Sequence, residues 1–142
     1  EQVVTVCSPE YLQRRGAIHN PEHLLEAHTL LIVEDHYHDW LTWADWFSAI
    51  GANYQTPRQA LRTNSYQLLM QSAIMGQGVS LGWHSLLEGE LASGRLQLAL
   101  PDSMLSRGRL YLMQPHHRNP PPAVRSFRHW LFEQSGIRST KT

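Results

Sequence analysis

Three stretches concentrate side chains that could do chemistry. The densest in metal-type ligands is Glu34-Asp35-His36-Tyr37-His38-Asp39, in a chain with nine histidines. On an extended segment His36 and His38 share one side, but no third and fourth ligand stands at a recognised spacing. The single cysteine, Cys7, leaves no cysteine pair for a closed zinc site. Solvated loop histidines are the better reading, so neither a metal nor another cofactor is expected. His116-His117 reads as a surface turn. The second stretch is Thr63-Asn64-Ser65-Tyr66, at the start of a helical pattern. Hydroxyls, an amide and free N–H groups at a helix N-terminus suit an anion or a carbonyl, whereas plain N-capping needs only one of them. The third stretch is Gly76-Gln77-Gly78-Val79-Ser80-Leu81-Gly82-Trp83. It has the glycine density of a phosphate loop but the wrong order. A phosphate loop leaves a strand and opens a helix, whereas here a helix ends and a strand begins, so the glycines serve a tight turn.

Catalysis is not expected. Cys7-Ser8 is no nucleophile motif, nothing supplies an oriented base, and Cys7 at a strand end reads as buried. Trp40, Trp43 and Trp46 recur at helical spacing and read mostly as core. Trp83 directly follows a strand, where a cleft is expected. With Tyr66 and Trp40 it forms a candidate pocket wall, and burial in the core is the competing reading.

The elements that must position these groups follow from punctuation and periodicity. Val3–Cys7 and Thr29–Val33 read as strands, the second buried on both faces. Pro9 opens a short helix that ends at Gly16, and Asn20-Pro21 is a cap followed by proline at the first helical position. A helix is expected over Asp39–Ile50 with Gly51 closing it, and a short strand over Ala60–Arg62. The next helix is capped by Asn64 or Ser65, carries an apolar face of Leu68, Leu69, Ser72, Ala73 and Met75, and ends at Gly76. Val79–Gly82 reads as a strand, Leu86–Ala92 as a helix, Leu96–Leu100 as extended, Arg109–Gln114 as a strand and Ala123–Phe132 as an amphipathic helix. The alternation argues for an α/β fold with a mostly parallel sheet flanked by helices. In such sheets ligands bind beyond the carboxyl ends of strands. That rule selects residues 34–38, Thr63–Tyr66 and Gly82–His84.

Composition narrows the function. The 42% hydrophobic content of the 142 residues supports a real core, and twelve basic side chains cancel twelve acidic ones. A DNA-reading surface is normally basic, and nothing reads as a helix-turn-helix. No stretch approaches the roughly 20 apolar residues that span a bilayer, and there is no signal-peptide pattern. A reducing cytoplasm fits one cysteine, and no membrane partner is expected.

In order along the chain, several motifs resemble the ligand-sensing domain of LysR-type transcriptional regulators. Val6-Cys7-Ser8-Pro9-Glu10-Tyr11-Leu12 resembles the entry into the second lobe. Leu24-Leu25 and Thr29-Leu30-Leu31 resemble the next helix and strand. Asp39-Trp40 with Trp43 resembles the glycine-cleavage-activator-like branch. Ser65 to Trp83 carries the core match, followed by Gly94-Arg95-Leu96, Leu110-Tyr111-Leu112 and Val124 to Leu131. The resemblance implies a periplasmic-binding-protein-like (type 2) effector domain that is not an enzyme, with 1–108 as second lobe and 109–142 as returning strand and C-terminal helix of the first lobe. It implies a small-molecule effector in an inter-lobe cleft, held by Thr63, Asn64, Ser65, Tyr66 and Trp83 with Asp35 and His36 nearby. Asn64-Ser65-Tyr66 and Gln77 to Trp83 look like regulators near choline and betaine utilisation, and an aromatic wall suits a quaternary ammonium. DNA would be bound only through an N-terminal winged helix-turn-helix not in these residues, so a fragment of a larger regulator is expected. A homo-oligomer is expected from the C-terminal apolar stripe. The alternatives are a periplasmic-type solute-binding protein and, third, an enzyme.

The balanced charge carries a prediction. This chain alone should bind duplex DNA no better than a neutral control protein. Tight binding that weakens steeply with salt in a mobility-shift titration would contradict it.

Overall fold

Alternation within one strand sets the two layers of the fold. In β1 (Gln2–Cys7), Val3 and Cys7 pack into one apolar cluster while Val4 and Val6 pack into another, and all four are buried. A strand buried on both faces needs helices on both sides. The computed structural model describes residues 1–34, 42–106, 112–114 and 119–135. The chain divides into two compact units, Glu1–Arg109 and Leu110–Thr142.

Local chemistry starts each helix of the first unit. Ser8 caps α1 (Pro9–Arg15), and the Asn20 side chain accepts from His23 N–H at 2.7 Å to cap α2 (Pro21–Ala27). After β2 (Thr29–Val33), a capping box of Thr42 and Asp45 starts α3 (Trp43–Ala49). The helix therefore begins one turn later than the expected Asp39, because Thr42 takes the cap; residues 39–41 lie outside the described residues. β3 (Gln59–Thr63) leads to α4 (Tyr66–Ile74), capped by Ser65. β4 (Val79–Trp83), α5 (His84–Ala92) and β5 (Gln97–Leu105) complete the unit. The α2 and α3 side chains Leu24, Trp43, Trp46 and Phe47 fill the cluster on one face of the sheet, and Leu69, Met70, Ala73 and Leu87 of α4 and α5 fill the other.

The sheet order is β3-β2-β4-β1-β5. β2 runs parallel to β3 and β4, whereas β1 runs antiparallel to β4 and β5. Four strands thus share a direction and the reversed β1 sits between two of them. The expectation of a mostly parallel sheet becomes a mixed sheet, since an apolar run buried on both faces reads the same in either direction. β5 also continues past Pro101 to Leu105, further than expected. The register shifts between Val4 and Val6, and Thr5 Oγ1 accepts from Leu100 N–H at 3.1 Å, so a buried hydroxyl supplies the acceptor that the irregular ladder lacks. On α4 the buried face is Leu69, Met70 and Ala73, while Leu68 and Met75 are exposed. That corrects the expected face by one residue's rotation.

In the second unit α6 spans Pro122–Ser135, and Val124, Phe127 and Trp130 are exposed, with the Phe127 and Trp130 rings stacked at 5.8 Å. Leu112–Gln114 form no strand, and residues 109–111 of the expected strand lie outside the described residues.

One buried polar group carries a pH prediction. His28, between α2 and β2, is 1% exposed, and neither ring nitrogen has a partner among the described residues. Its ring meets Tyr11 at 5.8 Å and His23 at 5.1 Å. Burial, then the charges of His23, Arg15 and His19, push its pKa down to about 4 from 6.5. The unfolded chain therefore binds this proton first as pH falls, so stability is full above pH ~6.5 and lost toward pH ~4, by an amount on the order of 2–3 kcal/mol. Urea denaturation across that window should show this loss, and His28→Leu should flatten it; an unchanged slope in the variant would refute the assignment.

Candidate functional site

The pocket arises where two parallel strands stop pairing. β2 and β4 are in register only at Leu30 with Val79 and Leu31 with Ser80. Beyond that point Ile32 and Val33 pair with β3, and Leu81 to Trp83 pair with β1. The chain leaves β2 toward β3 on one side and β4 lies on the other, so this is the sheet's topological switch point. A pocket of about 130 Å³ opens there. It is lined by Leu31, Leu69 and Leu81 and by the rings of Trp43, Tyr54, Tyr66 and Trp83. Thr42 and Arg62 add polar groups.

Close backbone approach makes the geometry. A Cβ on Gly78 would lie 2.5 Å from the Thr29 carbonyl oxygen and 3.0 Å from the Leu31 side chain. Only glycine lets β4 enter this close beside β2. The wall rings are held by polar contacts. Trp43 Nε1 donates to the Leu31 carbonyl at 3.0 Å, which fixes the indole at the first turn of α3. Tyr66 and Trp83 meet edge to face at 5.2 Å. Burial raises the Tyr66 hydroxyl pKa; a hydrogen bond with the Trp83 backbone opposes the shift and the Glu1 carboxylate adds to it. The phenol is therefore neutral and polar at neutral pH. Arg62 Nη1 pairs with Glu34 Oε1 at 3.0 Å.

Of the candidate residues, Tyr66 and Trp83 stand together on the pocket wall. Thr63, Asn64 and Ser65 form the turn leading into Tyr66 and do not line the pocket. Thr63 Oγ1 accepts from Ser65 N–H at 3.2 Å, and Ser65 Oγ accepts from Leu68 N–H at 3.4 Å as the helix cap. Asn64 is exposed. Asp35 and His36 lie outside the described residues, as does Trp40. Trp43 is buried, as expected of core, yet it also faces the pocket. Arg62 and Tyr54 were not anticipated. The signal for Trp43 was its place at the helix start after β2, whereas Arg62 is placed by its register opposite Ile32.

Nothing in this site resembles a hydrolase centre. The letters Gly-x-Ser-x-Gly occur at Gly78–Gly82. Ser80, however, is fully buried within β4 and donates to the Leu81 carbonyl at 3.0 Å. A nucleophile elbow instead exposes its serine at a strand-to-helix turn. Cys7 is fully buried, which pushes its thiol pKa up to about 12 and keeps it protonated. Among the described residues, no three His, Cys, Asp or Glu side chains are grouped to hold a metal.

A family model described as the LysR substrate binding domain matches residues 1–136. The chain belongs to the LysR substrate-binding domain family. The glycine cleavage system transcriptional activator of Escherichia coli K12 is 28% identical over 141 residues, covering 99% of this chain and 45% of that protein. The HTH-type transcriptional regulator PerR of the same strain is 30% identical, covering 96% of this chain and 44% of its own length. The chain thus spans less than half the length of these relatives, which are transcriptional regulators. Their character favours the LysR reading over the solute-binding one. The effector domain of AmpR from Pseudomonas aeruginosa superposes with a TM-score of 0.74 at 27% identity, covering 95% of this chain and 61% of that one. The Citrobacter freundii effector binding domain shares the fold, with a TM-score of 0.73 at 22% identity over 94% of this chain and 63% of that one.

Within this LysR-type domain two glycines make opposite predictions. Gly78→Ala should cost about 1–3 kcal/mol, because a backbone oxygen must move. Gly89 lies inside α5, where an added Cβ meets nothing within 4 Å, so Gly89→Ala should stabilise by about 0.4–1 kcal/mol. Thermal unfolding of both variants checks the pair, and equal effects would remove the close-approach argument.

Proposed function

We propose that this chain is the effector-sensing part of a LysR-type transcription factor, and that a small molecule in the switch-point pocket modulates transcription. One observation carries the reading: four aromatic side chains converge, with aliphatic neighbours and the polar groups of Thr42 and Arg62, on a pocket at the carboxyl ends of β2 and β4, in a domain of this family. Residues 1–108 act as second lobe, and 109–142 contribute the returning strand and final helix of the first. The remainder of the first lobe closes the pocket, so the isolated chain holds its ligand weakly. Tyr66 and Trp83 contact the ligand directly, and the turn of Thr63, Asn64 and Ser65, with Asp35 and His36, borders it. DNA is bound by a separate N-terminal domain, and the protein works in the cytoplasm, where its DNA is. The exposed Val124, Phe127 and Trp130 support self-association.

The edge-to-face pair of Tyr66 and Trp83 suits a quaternary ammonium such as choline or glycine betaine through cation–π attraction. Calorimetric titration of both into the complete effector domain is the test. Trp83→Ala should weaken binding by about 0.5–2 kcal/mol. No heat from either compound would remove the quaternary ammonium and leave the sensor reading. A transcriptional response that survives both Trp83→Ala and Tyr66→Ala would remove this pocket from the function.

A further inference from the structure

We infer that Arg62 recognises a carboxylate on the effector, so that the pocket takes a ligand with an anionic end as well as an apolar or cationic one. The inference rests on the sensor reading above and assigns the chemistry of that same pocket. Arg62 is the one charged side chain lining it among the described residues. Its position follows from register. Arg62 lies opposite Ile32 in the parallel β2–β3 ladder, so the two side chains share a face, and both reach the pocket.

The guanidinium is incompletely used. Among the described residues it makes one contact at 3.0 Å, from Nη1 to Glu34 Oε1, with both side chains 48% exposed. A planar fork that can grip a carboxylate through two parallel bonds is thus engaged through one nitrogen. A pair this exposed is screened and held weakly, so a ligand carboxylate can compete with Glu34. A ligand that fills the pocket excludes water from the guanidinium, so its charge-assisted bond is less screened than the exposed pair it replaces. A cation without an anionic end leaves Arg62 paired with Glu34 and gains no bond from the guanidinium. A betaine-type zwitterion satisfies both ends, with its carboxylate on Arg62 and its methyl groups on Tyr66 and Trp83.

The purely structural role is also defined: the methylene stem covers the pocket while the head pairs with Glu34. Four probes of one shape separate the two: glycine betaine, choline, 3,3-dimethylbutanoate and 3,3-dimethylbutan-1-ol. Binding to the complete effector domain, as wild type, Arg62→Met and Glu34→Gln, is measured by calorimetry, with thermal unfolding as the check on folding. Each carboxylate should bind about tenfold or more tightly than its alcohol in the wild type. The ratio should fall toward about one in Arg62→Met and rise in Glu34→Gln, where the competing acid is gone. Alcohols that bind as well as the acids, or two variants that shift the ratio the same way, would overturn the inference. Alcohol binding that responds to Trp83→Ala but not to Arg62→Met would remove the carboxylate and leave the sensor pocket standing. Failure of all four probes to bind would remove the carboxylate assignment together with the quaternary-ammonium pocket it extends.

Discussion

The short ladder between β2 and β4 is the constraint on which the rest depends. Two residues of each strand are held in register, at Leu30 with Val79 and Leu31 with Ser80. Gly78 makes even this possible, since any side chain would strike the Thr29 carbonyl. Longer pairing would close the sheet and fill the space now lined by Ile32, Leu81 and Gly82. Shorter pairing would separate the β2–β3 half from the β4–β1–β5 half. The pocket is thus the unpaired remainder of a ladder whose paired part is fixed by backbone contact.

The two faces of the sheet meet at this gap, and they supply different things. Trp43 comes from the α3 side, with its indole N–H tied to the Leu31 carbonyl. Leu69 and Tyr66 come from the α4 side. A mobile ring would lose rotational freedom on meeting a ligand, and that ordering would offset part of the affinity. Rings anchored by a backbone hydrogen bond or by edge-to-face packing have already lost it. The site is therefore pre-organised by the same side chains that complete the two cores.

Much of this was legible in the residues. Pro9, Asn20-Pro21 and Gly16 mark helix ends through local hydrogen bonding and backbone preference, which are properties of a few neighbours. Trp83 and Tyr66 followed from the rule that ligands meet strand ends. Strand direction was not legible, because Val3–Cys7 pairs equally well by pattern in either sense. The buried face of α4 was misread because Leu68 and Met75 are apolar yet exposed, while the stripe of Tyr66, Leu69, Met70 and Ala73 has the proper spacing of three and four. Arg62 was invisible for a different reason. Its meaning comes from Ile32 on another strand, and register between distant segments is not written in either of them. The continuation of β5 through Pro101 likewise depended on a hydroxyl from Thr5, far away in sequence.

The fixing of Trp43 has an optical consequence. Indole emission shifts to longer wavelength when water can reorient around the excited ring. Trp46 is sealed in the core, Trp43 is 4% exposed with its N–H held by a carbonyl, and Trp83 is half-buried at the pocket. The red part of this unit's emission from these three rings belongs to Trp83, and the blue part to the two immobile ones. Whatever fills the pocket displaces water from Trp83 while leaving Trp46 unaffected, so this unit contains both a reporter and its internal reference.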